Sequence, residues 1–135
     1  MTTVRSDVGD TIRMEVTIRE PKTGSNLSPS PIDLTGSLLI YEAKLQPERR
    51  RLHSTDEVVI SKTSDDANEI EIYDQTQLVT RGKCQIKIRP EDTNFLKPLA
   101  YSHSLRLKTS GGDSYTVMKG QLILEGPATV EENMT

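Results

Sequence analysis

Alternation of apolar and polar residues with a period of two is the feature that most constrains this chain. It is clearest in Asp10–Arg19, where Ile12, Met14, Val16 and Ile18 are separated by polar or charged residues. Successive side chains of an extended strand point to opposite faces, so this alternation puts every apolar residue on one side. The segment is therefore predicted to be a β-strand with one buried and one solvated face.

Similar patterns predict short strands along the rest of the chain. They cover Ser37–Leu45, Val58–Thr63, Glu69–Tyr73, Lys83–Arg89, Leu99–Lys108, Ser114–Lys119 and Gln121–Glu125. Ser37–Leu45 is apolar on both faces near its start, which predicts a central strand. Gly120 is expected to break or bulge the last strand. Short strands at this spacing predict an all-β fold, an antiparallel immunoglobulin-like or jelly-roll-like β-sandwich of about 7–8 strands.

The connections differ in character. Glu20–Leu34 contains three prolines and is predicted to be a long loop, and the charged Gln46–Glu57 is predicted to be a projecting loop. Asp65–Asn68 and Ser110–Asp113 have the composition of tight turns. Pro90–Leu96 predicts one short helical turn, because proline and acidic residues favour a first turn, with Phe95 and Leu96 expected to plug the core.

Composition limits the classes of protein that remain. The chain has 135 residues, 33% of them hydrophobic, and no Trp, which predicts one domain with a thin core at residues 1–125 and a polar, acidic tail at 126–135. No apolar run approaches the ~20 residues of a membrane span, and the amino terminus lacks the apolar region of a secretory signal. A pI near 5.4 argues against specific nucleic-acid binding.

Few residues are candidates for a catalytic, metal-binding or cofactor-binding role. Cys84 is the single cysteine, so it is predicted to be a core residue of a strand in a chain made in a reducing compartment. His103 falls in the apolar register of its strand and is expected to be a hydrogen-bonded core or interface imidazole. The chain lacks metal-ligand spacings and a G-x-S-x-G motif. We therefore expect no catalytic site, no cofactor and no metal, and a protein that is not an enzyme.

The only basic cluster is Arg49-Arg50-Arg51. One interpretation is a solvated loop, because three adjacent guanidinium groups repel one another. A second is a docking loop, in which Arg49, Arg50 and Arg51 bind an acidic patch of a neighbouring subunit through bidentate pairs. Contact with packaged nucleic acid is a third. Partner binding is the functional role we predict for these three residues.

An order of short motifs runs through most of the chain. It comprises Gly9–Met14, Ile32–Gly36, Gly82–Ile88, Thr93–Leu96, Tyr101–Leu107, Gly111–Asp113 and Val117–Leu124. This order resembles small virion proteins of tailed bacteriophages, including the amino-terminal domains of some upper baseplate proteins. The I-D-L-T-G phrase at Ile32–Gly36 has a physical reason: its Asp and Thr are expected to cap backbone groups, its Leu to plug the core and its Gly to permit a bend.

The resemblance implies a structural role in a phage tail, baseplate or neck, with other virion proteins as partners and a homo-oligomeric ring or multi-copy assembly. It implies a protein made in the host cytoplasm and located in the virion. The sequence ends directly after the last predicted strand, so a free-standing subunit is expected, with no membrane contact. The alternative is a capsid decoration protein or a β-sandwich module that binds a host receptor or carbohydrate, although such sites commonly use exposed aromatic platforms and this chain has no Trp.

Overall fold

The computed structural model describes residues 2–19, 30–45 and 58–126. Within them the all-β sandwich is confirmed, with two sheets and one short helix. The strands are β1 Thr2–Asp7, β2 Ile12–Thr17, β3 Leu38–Leu45, β4 Val58–Thr63, β5 Ile70–Ile72, β6 Lys83–Ile88, β7 Ala100–Lys108 and β8 Ser114–Glu125, and helix α1 is Pro90–Thr93. No helix in this part of the chain has the length and apolar character needed to cross a bilayer.

The strand order is that of an immunoglobulin-like sandwich. One sheet has five strands in the order β1-β8-β7-β3-β4, and the other has three in the order β2-β6-β5. The first contains the C, F and G strands of the immunoglobulin arrangement with an added C′ strand, and the second corresponds to B, E and D. Of the two topologies that the sequence left open, the strand order therefore matches the immunoglobulin-like one.

One pairing departs from the expected antiparallel arrangement. Strand β1 pairs with β8 in parallel, from Thr2 opposite Gly120 to Asp7 opposite Glu125, whereas the other strand pairs of the described residues are antiparallel. The sequence analysis missed β1 altogether. Its only apolar residue is Val4, so no alternation marks it, and its extended shape follows from the hydrogen bonds that β8 offers.

The prediction that Gly120 breaks or bulges the last strand is wrong. Strand β8 runs without interruption through Gly120, which pairs with His103. The register shifts instead at Val117 of β8, which lies between the pairs Leu105–Met118 and Arg106–Thr116. A methyl group on Gly120 would overlap the backbone of Thr2. The glycine is thus required by the close approach of β1 to β8, which the isolated sequence does not reveal.

The core between the sheets follows the predicted alternation. Strand β3 lies between β7 and β4, as its two-sided apolar pattern predicted. Leu39, Tyr41 and Ala43 of β3 are buried, as are alternate residues of β6. The prediction for Cys84 is confirmed, because it is fully buried in β6. Burial raises the pKa of its thiol to about 12, so this cysteine is a packing residue.

The helical turn is confirmed, but its predicted core plug is wrong for Phe95, whereas Leu96 is partly buried and packs against the core. The carboxylate of Asp92 accepts a hydrogen bond from the backbone N–H of Arg89, at 2.8 Å, at the start of α1. Phe95 is 92% exposed, and Thr93 is the buried residue of the turn. The hydroxyl of Thr93 accepts a hydrogen bond from the N–H of Gly9 at 2.8 Å. An aromatic ring in this place would leave that N–H without a partner.

Two local motifs fix the chain at the ends of strands. In the I-D-L-T-G phrase, Asp33 accepts hydrogen bonds from the N–H of Thr35 at 3.0 Å and from its hydroxyl at 2.7 Å. Leu34 is buried, and Gly36 has a φ of +76°, so the predicted roles of Asp33, Leu34 and Gly36 are confirmed. The hydroxyl of Thr35 was expected to cap a backbone group, and it instead donates to the Asp33 carboxylate. Near the start of β7, the hydroxyl of Tyr101 donates to the carbonyl oxygen of Lys97 at 2.8 Å, which is the geometry of the tyrosine corner of immunoglobulin-like domains.

Several predictions fall on residues outside the described ranges. They concern the loop Gln46–Glu57 with Arg49, Arg50 and Arg51, most of the proline-containing loop, and the tail after residue 126. The predicted roles of these segments stay predictions.

Candidate functional site

Apart from Val58 at the start of β4, which is 43% exposed, large apolar side chains reach solvent at three places in the described residues. Leu78 and Val79 are 73% and 72% exposed, Phe95 is 92% exposed and Tyr115 is 54% exposed. A single exposed apolar residue is ordinary on a protein surface. Exposed apolar residues that are clustered, as Leu78 and Val79 are, or that line a cleft, as Phe95 and Tyr115 do, are instead candidates for contact with another molecule. The three places are therefore the candidate interaction surfaces.

The first surface is the loop between β5 and β6, residues 74–82, which we name the Leu78 tip. Its backbone is closed by hydrogen bonds from the N–H groups of Thr80 and Arg81 to the carbonyl oxygen of Gln77, at 3.2 and 2.9 Å. At its start, Asp74 accepts from the N–H and the hydroxyl of Thr76 at 3.0 and 2.7 Å. Leu78 and Val79 are thus presented by a loop that supplies its own internal bonds.

Gln75 anchors this tip to the sandwich. Its side-chain oxygen accepts hydrogen bonds from the N–H of Leu34 and the N–H of Gly82, both at 2.9 Å. Its amide nitrogen donates to the carbonyl oxygen of Tyr73 at 2.7 Å, and the residue is buried. One side chain therefore joins the tip, the start of β6 and the loop before β3. Sequence reasoning missed Gln75, although it lies inside a second D-x-T turn like that at Asp33, a signal that could have identified it.

The second surface is a cleft beside α1, which we name the Phe95 cleft. Its volume is about 540 Å³. Its walls come from the end of β3, the start of β4, the α1–β7 connection and the start of β7: Leu45, Val59, Phe95, Leu96, Leu99 and Tyr101, with Lys97 at its edge. The Tyr101–Lys97 hydrogen bond holds the α1–β7 connection against β7. The result is an apolar concavity with one exposed aromatic ring and one exposed ammonium group.

The arginine cluster is connected to this cleft by the chain. Leu45 and Val59 both line the cleft, and residues 46–57 join β3 to β4. Arg49, Arg50 and Arg51 lie in that connection, outside the described residues. The described residues on either side of the segment that carries the three arginines therefore lie at the Phe95 cleft.

The third surface is a cleft of about 490 Å³ between the end of β2 and the start of β8, which we name the Tyr115 cleft. Tyr115, Thr116, Ile32 and Arg19 are among its lining residues. The N–H of Ile32 donates to the carbonyl oxygen of Ile18 at 2.9 Å, which closes the floor of this cleft. The cleft combines a half-exposed aromatic ring with polar groups, an arrangement that suits a small polar ligand.

His103 is a hydrogen-bonded core residue, as predicted. Its Nε2 lies 3.0 Å from the carbonyl oxygen of Thr2, and its Nδ1 lies 2.9 Å from the hydroxyl of Tyr41. A carbonyl oxygen only accepts, so Nε2 carries the proton and the Tyr41 hydroxyl donates to Nδ1. Burial lowers the pKa of His103, and the bond to Thr2 partly opposes this shift. The imidazole thus ties β1 to the inner face of the large sheet.

The charged groups of the described residues form local pairs. Lys62 of β4 and Asp92 of α1 are 2.6 Å apart, with side chains that are 9% and 23% exposed, so this ion pair joins the large sheet to the helix. No group of three or more His, Cys, Asp or Glu that could hold a metal occurs in the part of the chain described. The expected lack of a catalytic site stays a prediction.

No protein-family model matches the chain, and no curated protein is significantly similar to it. The assignment of a function therefore depends on the three surfaces and on the resemblance that the sequence motifs suggest.

Proposed function

We propose that the chain is a structural subunit of a tailed-bacteriophage virion, located in the tail, baseplate or neck, and that it acts through contacts with neighbouring subunits. The observation that carries this proposal is the Phe95 cleft, a concavity lined mainly by apolar side chains, with an aromatic ring that is 92% exposed. Buried aromatic anchors dominate the binding energy of many protein interfaces. The choice of a phage particle as the assembly rests on the order of sequence motifs, which resembles that of small virion proteins of tailed bacteriophages.

The edges of both sheets support an assembly role. Strands β1 and β4 end the large sheet, and β2 and β5 end the small one. Each edge strand has backbone groups that no described strand pairs, and proteins commonly cover such groups with a neighbour. In a ring or a stack, every subunit supplies that cover to the next.

Arg49, Arg50 and Arg51 are proposed as the polar part of the same contact. The described strand ends on either side of the segment that carries them lie at the Phe95 cleft. Interfaces commonly surround an apolar centre with polar and charged groups, and arginine is enriched there because it binds carboxylates through two parallel hydrogen bonds. An acidic patch on the neighbouring protein is the partner that this chemistry fits.

The proposal is tested by quantitative mass spectrometry of virus particles purified by density gradient from the source culture. We expect peptides of this chain at a fixed, multi-copy ratio to the other virion proteins. A second preparation, stripped by high salt, serves as the control for loosely adsorbed protein. A chain that is abundant in the infected lysate and missing from intact particles would exclude the virion role.

A second candidate function, a receptor- or carbohydrate-binding module, is favoured by the Tyr115 cleft alone. An aromatic face beside polar groups such as those of Thr116 and Arg19 is a common saccharide platform. A glycan array probed with the wild-type chain and with Tyr115→Ala separates the two candidates. Binding of a defined saccharide that Tyr115→Ala abolishes would support the module, and no binding would remove it.

A further inference from the structure

We propose that residues 127–135, which we name the acidic segment, occupy the Phe95 cleft of their own chain. This contact goes beyond the proposed function, because it gives the cleft an occupant in the isolated subunit. The sequence of the segment is PATVEENMT, and its placement lies outside the described residues. If the proposed assembly function holds, a neighbouring subunit displaces the segment when it binds the cleft.

The chain enters the acidic segment beside the cleft. The N–H of Leu124, near the end of β8, donates to the carbonyl oxygen of Leu99 at 2.9 Å, and Leu99 is one of the residues that line the cleft. The last described residue, Gly126, follows two positions later. Pro127 has no N–H with which to continue a strand ladder, which favours a turn away from the sheet at this point.

The acidic segment is long enough to cross the cleft. The walls run from Leu99, past Leu45 at the end of β3, to Val59 of β4, and β7, β3 and β4 are adjacent in the sheet. Two strand spacings of about 4.8 Å make this distance about 10 Å. Residues 127–135 span up to about 30 Å when extended. The segment therefore reaches every wall of the cleft, with length left for a turn after Gly126.

The composition of the acidic segment matches that of the cleft. Lys97 is exposed and is the one charged side chain among the described residues that line the cleft. The segment contains the carboxylates of Glu131 and Glu132 and no Lys or Arg. Val130 precedes the two glutamates and Met134 follows them, and a cleft of about 540 Å³ has room for both apolar side chains. An apolar cleft with a positive edge suits a segment of this kind.

The other charges near this point do not compete for Lys97. Glu125, at the end of β8, lies 3.5 Å from the guanidinium group of Arg5, so the carboxylate nearest the acidic segment has its own partner. Lys97 forms no ion pair with any described residue. Its ammonium group is therefore available to carboxylates from outside the described ranges.

Tethering favours the chain's own segment over the same segment of another molecule. Val130 follows closely after Gly126, the last described residue. A short linker gives a tethered group an effective concentration of about 1 mM. A contact with an intrinsic dissociation constant of about 1 mM is then formed in about half of the chains, although it would be negligible between separate molecules at micromolar concentration. A second copy therefore competes poorly for the cleft in dilute solution.

A fluorine label on Phe95 tests the occupancy of the cleft. Phe95 is the single phenylalanine of the chain, so a fluorinated phenylalanine gives one fluorine resonance, which reports on the cleft. A chain that ends at Gly126 should give this resonance at a different position. A peptide of residues 127–135, added to the shortened chain, should move the resonance toward the full-length position with a dissociation constant of about 1 mM.

Two pairs of variants separate the apolar part of the contact from the charged part. Val130→Asp removes an apolar side chain and should move the resonance to the position of the shortened chain. Asn133→Asp, the matched control, adds the same charge, keeps Val130 and should leave the resonance in place. Lys97→Glu should weaken the contact, and Glu131→Lys with Glu132→Lys in the same chain should restore it. Failure of that restoration would contradict the proposed match of charges.

Disulfide formation distinguishes the chain's own segment from that of a second copy. In a chain with Lys97→Cys and Glu131→Cys, the two Cα atoms should come within the ~7 Å that a disulfide requires, and the single native cysteine, Cys84, is buried. Oxidation should give a monomeric disulfide in a yield that does not depend on protein concentration. Leu78→Cys with Glu131→Cys is the control and should give none, because Leu78 precedes β6 whereas the cleft follows it.

Other occupants of the cleft would give different results, and each would overturn the proposal. Disulfide-linked dimers whose yield rises with concentration would assign the cleft to the acidic segment of a second copy. A fluorine resonance that is unchanged by removal of residues 127–135 would leave residues 46–57 or a different protein as the occupant. Neither result bears on the proposed virion role, which is decided by the composition of purified particles.

Discussion

At the scale of single residues, this sandwich depends on positions where a larger or different side chain cannot be accommodated. Gly120 is one, because the backbone of Thr2 takes up the space of its missing side chain. His103 is another, because it is bonded to the Tyr41 hydroxyl on one side and the Thr2 carbonyl on the other. Both residues serve β1, the strand without an apolar pattern of its own. The attachment of β1 therefore includes one close backbone approach and one imidazole, in addition to its pairing with β8.

Replacement of Gly120 by Ala should detach β1 from β8. The added methyl group overlaps Thr2, so we expect the free energy of unfolding to fall by about 1–3 kcal/mol, as for other overpacked sites. Urea denaturation measures the loss, and hydrogen exchange should show faster exchange in Thr2–Asp7 than in β7. Gly111→Ala is the matched control, because the nearest atom to its new methyl group would be 3.9 Å away. Equal stability of the two variants would contradict the role given to Gly120.

The stability of the fold should depend on pH through His103. Its pKa in the folded chain lies below the ordinary value of 6.5, mainly because of burial. The unfolded chain therefore binds more protons, and the free energy of unfolding decreases as pH falls below 6.5 toward the lowered native pKa. Above pH 6.5 this contribution is complete. Urea midpoints between pH 5 and pH 8 should show this slope in the wild type, and His103→Gln should reduce it. A slope that this substitution leaves intact would assign the pH dependence to other groups.

At the scale of elements, alternation predicted the strands that have one buried face, and it failed where tertiary contacts set the structure. Strands β2, β3, β6 and β7 were found because their inward residues are apolar at every second position. Strand β1 was missed because its place depends on β8, a partner more than a hundred residues away.

The candidate site was less predictable than the fold. Phe95 was placed in the core because aromatic residues are usually buried, and the sequence does not show that Thr93 is needed there to accept the N–H of Gly9. The exposure of Leu78 and Val79 depends on the anchor that Gln75 provides. Exposure of an apolar residue is a property of the folded surface, and no local pattern specifies it. Arg49, Arg50 and Arg51 were found from charge alone, and their role stays a prediction.

Removing either charge of the Lys62–Asp92 ion pair, which joins β4 to α1, should lower the stability of the fold by different amounts. Asp92→Asn leaves the ammonium group of Lys62, which is 9% exposed, without its partner at 2.6 Å, so we expect a loss of about 2–4 kcal/mol. Lys62→Met removes the buried charge itself and should cost about 1 kcal/mol or less. Thermal and urea unfolding measure the loss of stability in each of the two variants. Asparagine keeps an oxygen that can accept the hydrogen bond from the N–H of Arg89, so the start of the helix is preserved in Asp92→Asn. Equal losses of the free energy of unfolding in the two variants would contradict the idea that an unpaired buried charge causes the larger loss.

At the scale of the whole molecule, the immunoglobulin-like arrangement separates the interaction surfaces. The Leu78 tip and the Phe95 cleft lie at opposite ends of β6, whereas the Tyr115 cleft lies where β2 meets the β7–β8 hairpin. A subunit with different surfaces at its two ends suits a repeated assembly, because a contact at one end leaves the other end available for the next copy. A contact that depends on a few side chains binds two isolated subunits weakly. Closure of a ring, or attachment of the subunits to a common scaffold, raises the overall affinity because several such contacts then act together.

The arginine cluster should contribute to assembly through geometry as well as charge. Replacement of Arg49, Arg50 and Arg51 by Lys keeps three positive charges but removes the planar donors of the guanidinium groups. If these residues bind carboxylates of a neighbour in pairs, light scattering over a concentration series should show association several-fold weaker than in the wild type, and the triple Ala variant should be weaker still. Raising the salt concentration should weaken the wild type more than the Ala variant, because added ions screen the contact that Ala has already lost. Wild-type association and salt dependence in the triple Ala variant would mean that the cluster is solvated and that assembly proceeds through the apolar surfaces alone.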